Sequence, residues 1–347
     1  MYIKKILWAI ALIGLAVAAY FAYYVYSAMF EPNTAFNNEK AYIYIPTNAT
    51  YDEVREQLVP LLKDIDKFDA LAERKQYTSN VRAGRYAIKK GMSNNDIINS
   101  IRINNIPVTV VFNNQESLEK LAGRISSQIE TDSTSLIKAM KDEAFLTQNG
   151  FSNYTALGMY LPNSYQFEWN TSAEQFRERM LMEYQRFWTD ARIAKAKNLN
   201  MSQNDVMTLA SIVYEESKKK EEQPRVAGVY VNRLKLGMPL QADPTLKFAA
   251  YQLPEYQNTV IKRVLNKHKE IESSYNTYKY AGLPPGLIAM PDISAIDAVL
   301  NYEKHNYLYF AADAKRVGYH KFAKTLSQHN ANAREYQRYL SSQGIYN

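Results

Sequence analysis

Two adjacent acids, Glu215 and Glu216, lie near the end of a helix-like run that opens at Ser202. The run carries Val206, Met207, Leu209, Ala210, Ile212 and Val213. At about 100° per residue these centre an apolar stripe between Val206 and Val213. Glu216 falls one turn beyond Ile212 and Val213, about 50–70° from the middle of the stripe. Glu215 points nearly the opposite way, with Thr208 and Ser211. One acid is thus expected at the edge of the core and its neighbour in water. Desolvation disfavours a charged carboxylate and raises its pKa, which is what a general acid working near neutral pH requires. The plainer reading is a half-buried ion pair with Arg225 or Arg233 of the next helix, and geometry alone favours that one because ion pairs are commoner than catalytic acids.

Other chemistries find less support. The chain has no cysteine, which excludes disulfides, thiol nucleophiles and Cys-ligated metals. Its four histidines, His268, His305, His320 and His329, make neither an i,i+4 pair nor an HExxH pattern, so no metal site is expected. The net charge of +7 would suit a polyanion, but Lys218, Lys219 and Lys220 run straight into Glu221 and Glu222 as a solvated face would. No signature of a nucleic-acid module is present. The 28 tyrosines suit interfaces or carbohydrate stacking, and equally mere compositional drift.

The elements that must position these residues begin with an anchor. From Ile6 to Phe30 no charge interrupts the chain, which is long enough to cross the roughly 30 Å hydrocarbon layer as a helix. Lys4 and Lys5 precede it, placing residues 1–5 in the cytoplasm and the rest outside the inner membrane. Tyr20 to Phe30 supply an aromatic belt. A cleaved signal peptide is the rival, with a shorter apolar region and a clearer small-residue site than this chain has.

Residues 31–40 read as a polar tether. A strand over Ala41–Pro46, helices over about Tyr51–Leu62 and Phe68–Arg74, a strand at 83–88 and a helix after the Ser93/Asp96 cap make a small α+β module, 41–105. A larger α+β domain, 106–347, opens with a strand from Pro107 to Phe112. Helices are expected over 116–129, 133–146, 173–197, 202–220, 224–236 and 293–300, with an aromatic loop at 158–165. Residues 241–245 are expected to be irregular and 274–291 a Pro- and Gly-rich segment. A short strand at 307–311 and a helical tail close the chain.

Leu209-Ala210-Ser211-Ile212-Val213-Tyr214-Glu215-Glu216-Ser217, followed by Arg225 to Leu234, resembles the endolytic murein transglycosylases of the MltG (YceG-like) family. Leu236 to Thr245, Ser274 to Tyr278, Ala281 to Gly286, Tyr307 to Phe310 and Thr325 to Asn330 continue the likeness in order. The resemblance implies a single membrane anchor, a LysM-like module carried by Ala83-Gly84-Arg85-Tyr86 and Gly91-Met92-Ser93, and a YceG-like catalytic domain. The family's catalytic Glu falls on Glu216 and its first acid on Tyr214, so likeness and helical wheel select the same residue. Two departures stand out. Asn113 and Asn114 replace a Glu-Gly turn, and Leu157 to Tyr165 lacks the Glu and Asp of the family's loop, so no acid there is given a role.

The reaction so implied needs one carboxyl where ordinary glycosidases need two. Glu216 would protonate the departing GlcNAc oxygen and then take the proton of the MurNAc 6-hydroxyl, which closes onto its own anomeric carbon. No cofactor is expected. Gln241, Asn276 and Thr277 suit N-acetyl and hydroxyl groups and Tyr278 a sugar face, with ordinary turn and surface roles as the alternative. Asp243, ahead of Pro244, is equally a turn starter and a substrate contact, and Thr245 completes the expected substrate-binding set. The 282–286 loop is expected to wall the groove. Peptidoglycan strands are the expected substrate, with cell-wall synthases or division proteins as partners within reach. The rivals are a hydrolytic muramidase using Asp243 as base, and a non-catalytic wall-binding anchor acting through residues 41–105.

Overall fold

The structure is a computed structural model, and it describes residues 2–257, 259–261 and 263–343. Met1 and residues 344–347, the extreme ends of the expected first and last segments, lie outside them. The chain opens with α1 (Tyr2–Phe30), a helix long and apolar enough to span a membrane. Then follow β1 (Lys40–Ile45), α2 (Tyr51–Leu58), α3 (Ile65–Arg74), β2 (Gly84–Lys89), α4 (Asn94–Ile103) and β3 (Val108–Phe112). Next come α5 (Leu118–Ser126), α6 (Ser133–Met140), α7 (Glu143–Gln148), β4 (Asn163–Phe167), α8 (Ala173–Phe187), α9 (Asp190–Asn198), α10 (Gln203–Glu216) and α11 (Gln223–Lys235). The chain ends with α12 (Asp243–Tyr251), α13 (Asn266–Lys269), α14 (Ile293–Leu300), β5 (Tyr309–Ala312), β6 (His320–Ala323) and α15 (Leu326–Ser342). Strands pair as β1–β2, β3–β4 and β5–β6, a mixed α+β architecture.

Two compact units form. The first comprises 1–110, 127–131 and 165–172. In β1, Ile43 and Ile45 face inward while Tyr42 and Tyr44 face out, as strand alternation requires. They meet Tyr86 and Ile88 of β2, Val54 and Leu58 of α2, Phe68 of α3 and Ile97, Ile98 and Ile101 of α4 in one core. Thr50 and Ser93 each close a capping box, satisfying the first free N–H groups of α2 and α4. This unit is wider than residues 41–105. Glu130 accepts both the N–H and the hydroxyl of Thr47, at 2.6 and 2.7 Å, and Asn105 donates to Asn170. Residues 31–40 do not hang free. Asn33 is buried, its amide bridging Asp64 O and Asn94 Oδ1, and its own N–H donates to Met92 O.

The second unit holds 111–126, 132–164 and 173–347. Its centre is α10, packed by α9, α11, α12 and α14. Several expectations need correction here. The helix over 133–146 breaks at Lys141, because Asp142 turns to cap α7 and pair with Arg177. The helix over 173–197 breaks at Trp188, where Thr189 caps α9. The 202–220 helix ends at Glu216, since Ser217 is extended. Nor is α10 amphipathic over its middle. Thr208 and Ser211 are buried, and Ile288 N–H donates to Ser211 Oγ at 3.2 Å. The 241–245 segment is not all irregular, as α12 starts at Asp243 with Pro244 in its first turn. Finally, 158–165 is no open loop. Tyr160 is buried and stacks on Phe176, and Asn163 enters β4.

Candidate active site

A groove of about 570 Å³ opens where α10 ends. Glu216, Tyr230, Arg233, Gln241, Asp243 and Tyr278 line it, together with Tyr309 to Ala312, His320 and His329. The acid arrives here because Ser202 and Asp205 set the start of α10 and the extended Ser217 stops it 15 residues later. Tyr230 O–H donates to Glu216 Oε1 at 2.8 Å. Neither arginine of the plainer reading reaches the acid. Arg225 pairs with Glu303, and Arg233 spends its guanidinium on the carbonyls of Leu308, Pro239 and Leu240 and on Gln241 Oε1.

Burial pushes the Glu216 carboxyl up to about 7, against the Tyr230 hydrogen bond, with the negative Asp243 adding to the rise and His320 and Lys247 opposing it. Glu215 is exposed and pairs with Lys218. The two neighbours therefore differ in solvation, one withdrawn from water and one in it. A group that is half protonated at neutral pH can give a proton and take one back.

The expected substrate set divides. Gln241, Asp243 and Tyr278 line the groove. Gln241 holds a left-handed backbone, φ 50°, which turns its side chain toward Arg233. Tyr278 O–H donates to Asp243 Oδ1 at 2.6 Å, so this carboxylate too is met by a phenol. Thr245, Asn276 and Thr277 are instead buried structural groups. Thr245 and Thr277 share a hydroxyl bond at 2.8 Å, and Thr277 accepts Ala242 N–H. Asn276 donates to the carbonyls of Lys269 and Ile271 and accepts from Tyr278 N–H. Their hydrogen-bonding capacity is turned inward, on the backbone that carries Gln241 and Tyr278. The 282–286 loop does not wall the groove either. Gly286 sits against the Tyr154 carbonyl, where a Cβ would come within 2.1 Å.

Sequence reasoning gave no site role to Tyr230, Arg233, His320, Tyr309 or His329, all of which line the groove. For the first two a signal existed. Val226, Tyr230 and Arg233 recur at i, i+4 and i+7, one face of α11 whose polar tips must find partners. His320 lies 98 residues from the Glu222 it bonds, and no local pattern announces it. Among the described residues no cluster of three acids or histidines is placed to hold a metal.

One half-buried acid beside a buried phenol, in a groove of phenols, amides and imidazoles, is an arrangement that can give or take a proton beside a polar ligand. Residues 43–335 match the YceG-like family, and the chain belongs to it. It is similar to an endolytic murein transglycosylase of Bacillus subtilis, 32% identical over 281 residues, which are 76% of this chain and 74% of that one. A protein of the same name from Streptococcus pneumoniae is 26% identical over 93% of this chain and 63% of its own length. A YceG-like protein of Listeria monocytogenes, known as a crystal structure, superposes with a TM-score of 0.56 at 26% identity, covering 85% of this chain and 99% of that one.

Proposed function

We propose that this protein is an endolytic peptidoglycan lytic transglycosylase with Glu216 as its single acid/base. The observation that carries the reading is the Glu216 carboxyl, held near pKa 7 at the wall of the groove. The relatives' name supplies the substrate class, murein glycan. Neutral Glu216 donates its proton to the glycosidic oxygen as the MurNAc C1–O bond breaks and GlcNAc leaves with a free 4-hydroxyl. The resulting carboxylate takes the proton of the MurNAc 6-hydroxyl as O6 bonds to C1. One bond is broken, one is made, and Glu216 ends as it began, without water. A tethered nucleophile supplies the high effective molarity that otherwise demands a second carboxylate to activate water.

In this reading α1 crosses the inner membrane with residues 1–5 in the cytoplasm, and both units face the wall. Residues 41–105 act as a LysM-like module, and cleavage falls on strands near the membrane, within reach of synthases or division proteins. The test is mass spectrometry of glycan strands incubated with the purified chain, wild type against Glu216→Gln. Wild type should leave 1,6-anhydroMurNAc ends and E216Q should lose at least ~100-fold in rate. Reducing MurNAc ends would mean hydrolysis with Asp243 as base, and activity surviving in E216Q would remove the acid from the mechanism.

A further inference from the structure

Glu222 is a buried carboxylate that the reaction above leaves unused, with 5% of its side chain exposed. Its Oε2 accepts from His320 Nδ1 at 2.8 Å and from Ser217 Oγ at 3.0 Å, and its Oε1 accepts His320 N–H at 2.8 Å. Burial alone would raise its pKa, yet the bonds from the His320 ring and backbone outweigh it and hold the group below its ordinary value. Glu222 is therefore an anion, able only to accept, and Nδ1 must carry a proton toward it. With Nδ1 so engaged, Nε2 is the ring nitrogen left for a ligand.

The same carboxylate reaches the chain beside the acid. Ser217 is the residue at which α10 stops, and Gln223 Nε2 donates to its carbonyl at 3.0 Å. Glu222 thus ties the residue next to Glu216 and a ring on β6 to a single buried point. His320 and Glu216 line the same groove. Phe310 packs edge-on to the imidazole with centroids 5.0 Å apart, and among the described residues Nε2 has no hydrogen-bond partner. A carboxylate desolvated to orient a ring, and a ring at the groove with one nitrogen unpartnered, together call for a polar partner from outside. Sugar hydroxyls, which both donate and accept, are such partners.

We propose that His320 is a second substrate-contacting residue of this site, its Nε2 hydrogen-bonding to a glycan hydroxyl, with Glu222 as the positioning residue that fixes the ring. The inference rests on the glycan-cleaving reading. Its test therefore uses the full chain as E216Q, in which strands bind without being cut. Purified glycan strands titrated into E216Q should shift the ¹⁵N signal of His320 Nε2 from its value in the unliganded chain. E216Q/H320A should bind those strands ~10-fold more weakly, the worth of one such bond. In the otherwise wild-type chain, H320A should cleave slowly and regain rate with added imidazole, which a purely structural histidine would not allow. E216Q/E222Q should bind more weakly than E216Q and show shifted His320 ring signals even without glycan, because the ring has lost the carboxylate that fixes it.

A His320 signal unmoved by saturating glycan, or full affinity in E216Q/H320A, overturns the proposal while leaving the cleavage reading intact if wild type still yields anhydro ends. Should H320A fail to fold, the ¹⁵N signal of the E216Q chain decides by itself. If wild type yields no cleaved product, the glycan reading fails first and this inference falls with it.

Discussion

A proton donor that must work near neutrality and then reverse roles needs a pKa close to the working pH, and at Glu216 two opposed forces set it. Burial raises the carboxyl, while the Tyr230 hydroxyl, 2.8 Å away, stabilises the anion and holds it down. Removing that hydroxyl should therefore raise the pKa further. The starting form is the protonated one, so activity falls as pH climbs through this pKa. In Tyr230→Phe the alkaline limb of kcat/KM should move up by ~0.5–1 pH unit, and a limb that stays put or moves down would refute the assignment. Stability carries the same signature with its own sign. Folding lifts Glu216 from an ordinary 4.5 to about 7, so between those values the folded chain holds a proton the unfolded chain has lost. Stability then declines with rising pH across that window, by at most about 3 kcal/mol for a carboxyl that still touches the groove. E216Q cannot ionise and escapes the decline. Its melting temperature relative to wild type should rise between pH 5 and pH 8. A constant difference would mean that the carboxyl is well solvated.

At the scale of elements, the groove depends on Arg233 of α11. Its guanidinium donates to Leu308 O at 2.6 Å, to Pro239 O at 3.1 Å and to Leu240 O at 2.9 Å, joining α11 to the approach of β5 and to the turn that carries Gln241. A lysine keeps the charge but has a point-like head that cannot span three carbonyls in a fork. Arg233→Lys should cost about 2–4 kcal/mol by denaturant titration, because buried acceptors lose their donors, and should cut activity with it. A loss under about 0.5 kcal/mol would show the fork to be dispensable. Such long-range ties mark where reading the sequence ran out. Local rules identified the Ser93/Asp96 cap, the alternation of β1 and the helix from Ile293 to Leu300, because each is decided within a few residues. They also placed Glu216 at the core edge. The breaks at Lys141 and Trp188 escaped because the flanking apolar spacing stays helical and only a capping Asp or Thr diverts the backbone. Strand β6 was missed since its partner β5 and not its own pattern makes it a strand. Asn276, Thr277 and Thr245 looked like ligand groups because amides and hydroxyls bind sugars and backbone alike, and sequence does not say which way they face.

At the scale of the whole chain, α1 is more than an apolar rod ahead of the first unit. Its last turns pack on α3 and α4, Ala28 is buried, and the Ala28 carbonyl accepts from Asn94 Nδ2 at 2.8 Å. Asn94 in turn accepts from Asn33, whose amide also reaches Asp64, so the end of α1 closes a buried amide chain. Where the helix is cut therefore decides what the cut does. A chain starting at Tyr24 loses most of the apolar span and keeps the Ala28 contact. One starting at Glu31 also strips an acceptor from a buried amide and uncovers Leu71, at a cost of about 1–3 kcal/mol. Both truncated chains should leave the membrane fraction, while the full chain stays in it. The shorter one should melt lower and exchange the amides of α4 faster. Equal melting temperatures would reduce α1 to an anchor alone. A full chain that remains soluble without detergent would deny the membrane reading itself, because about 25 uncharged residues exposed to water would then have to be covered by something other than lipid.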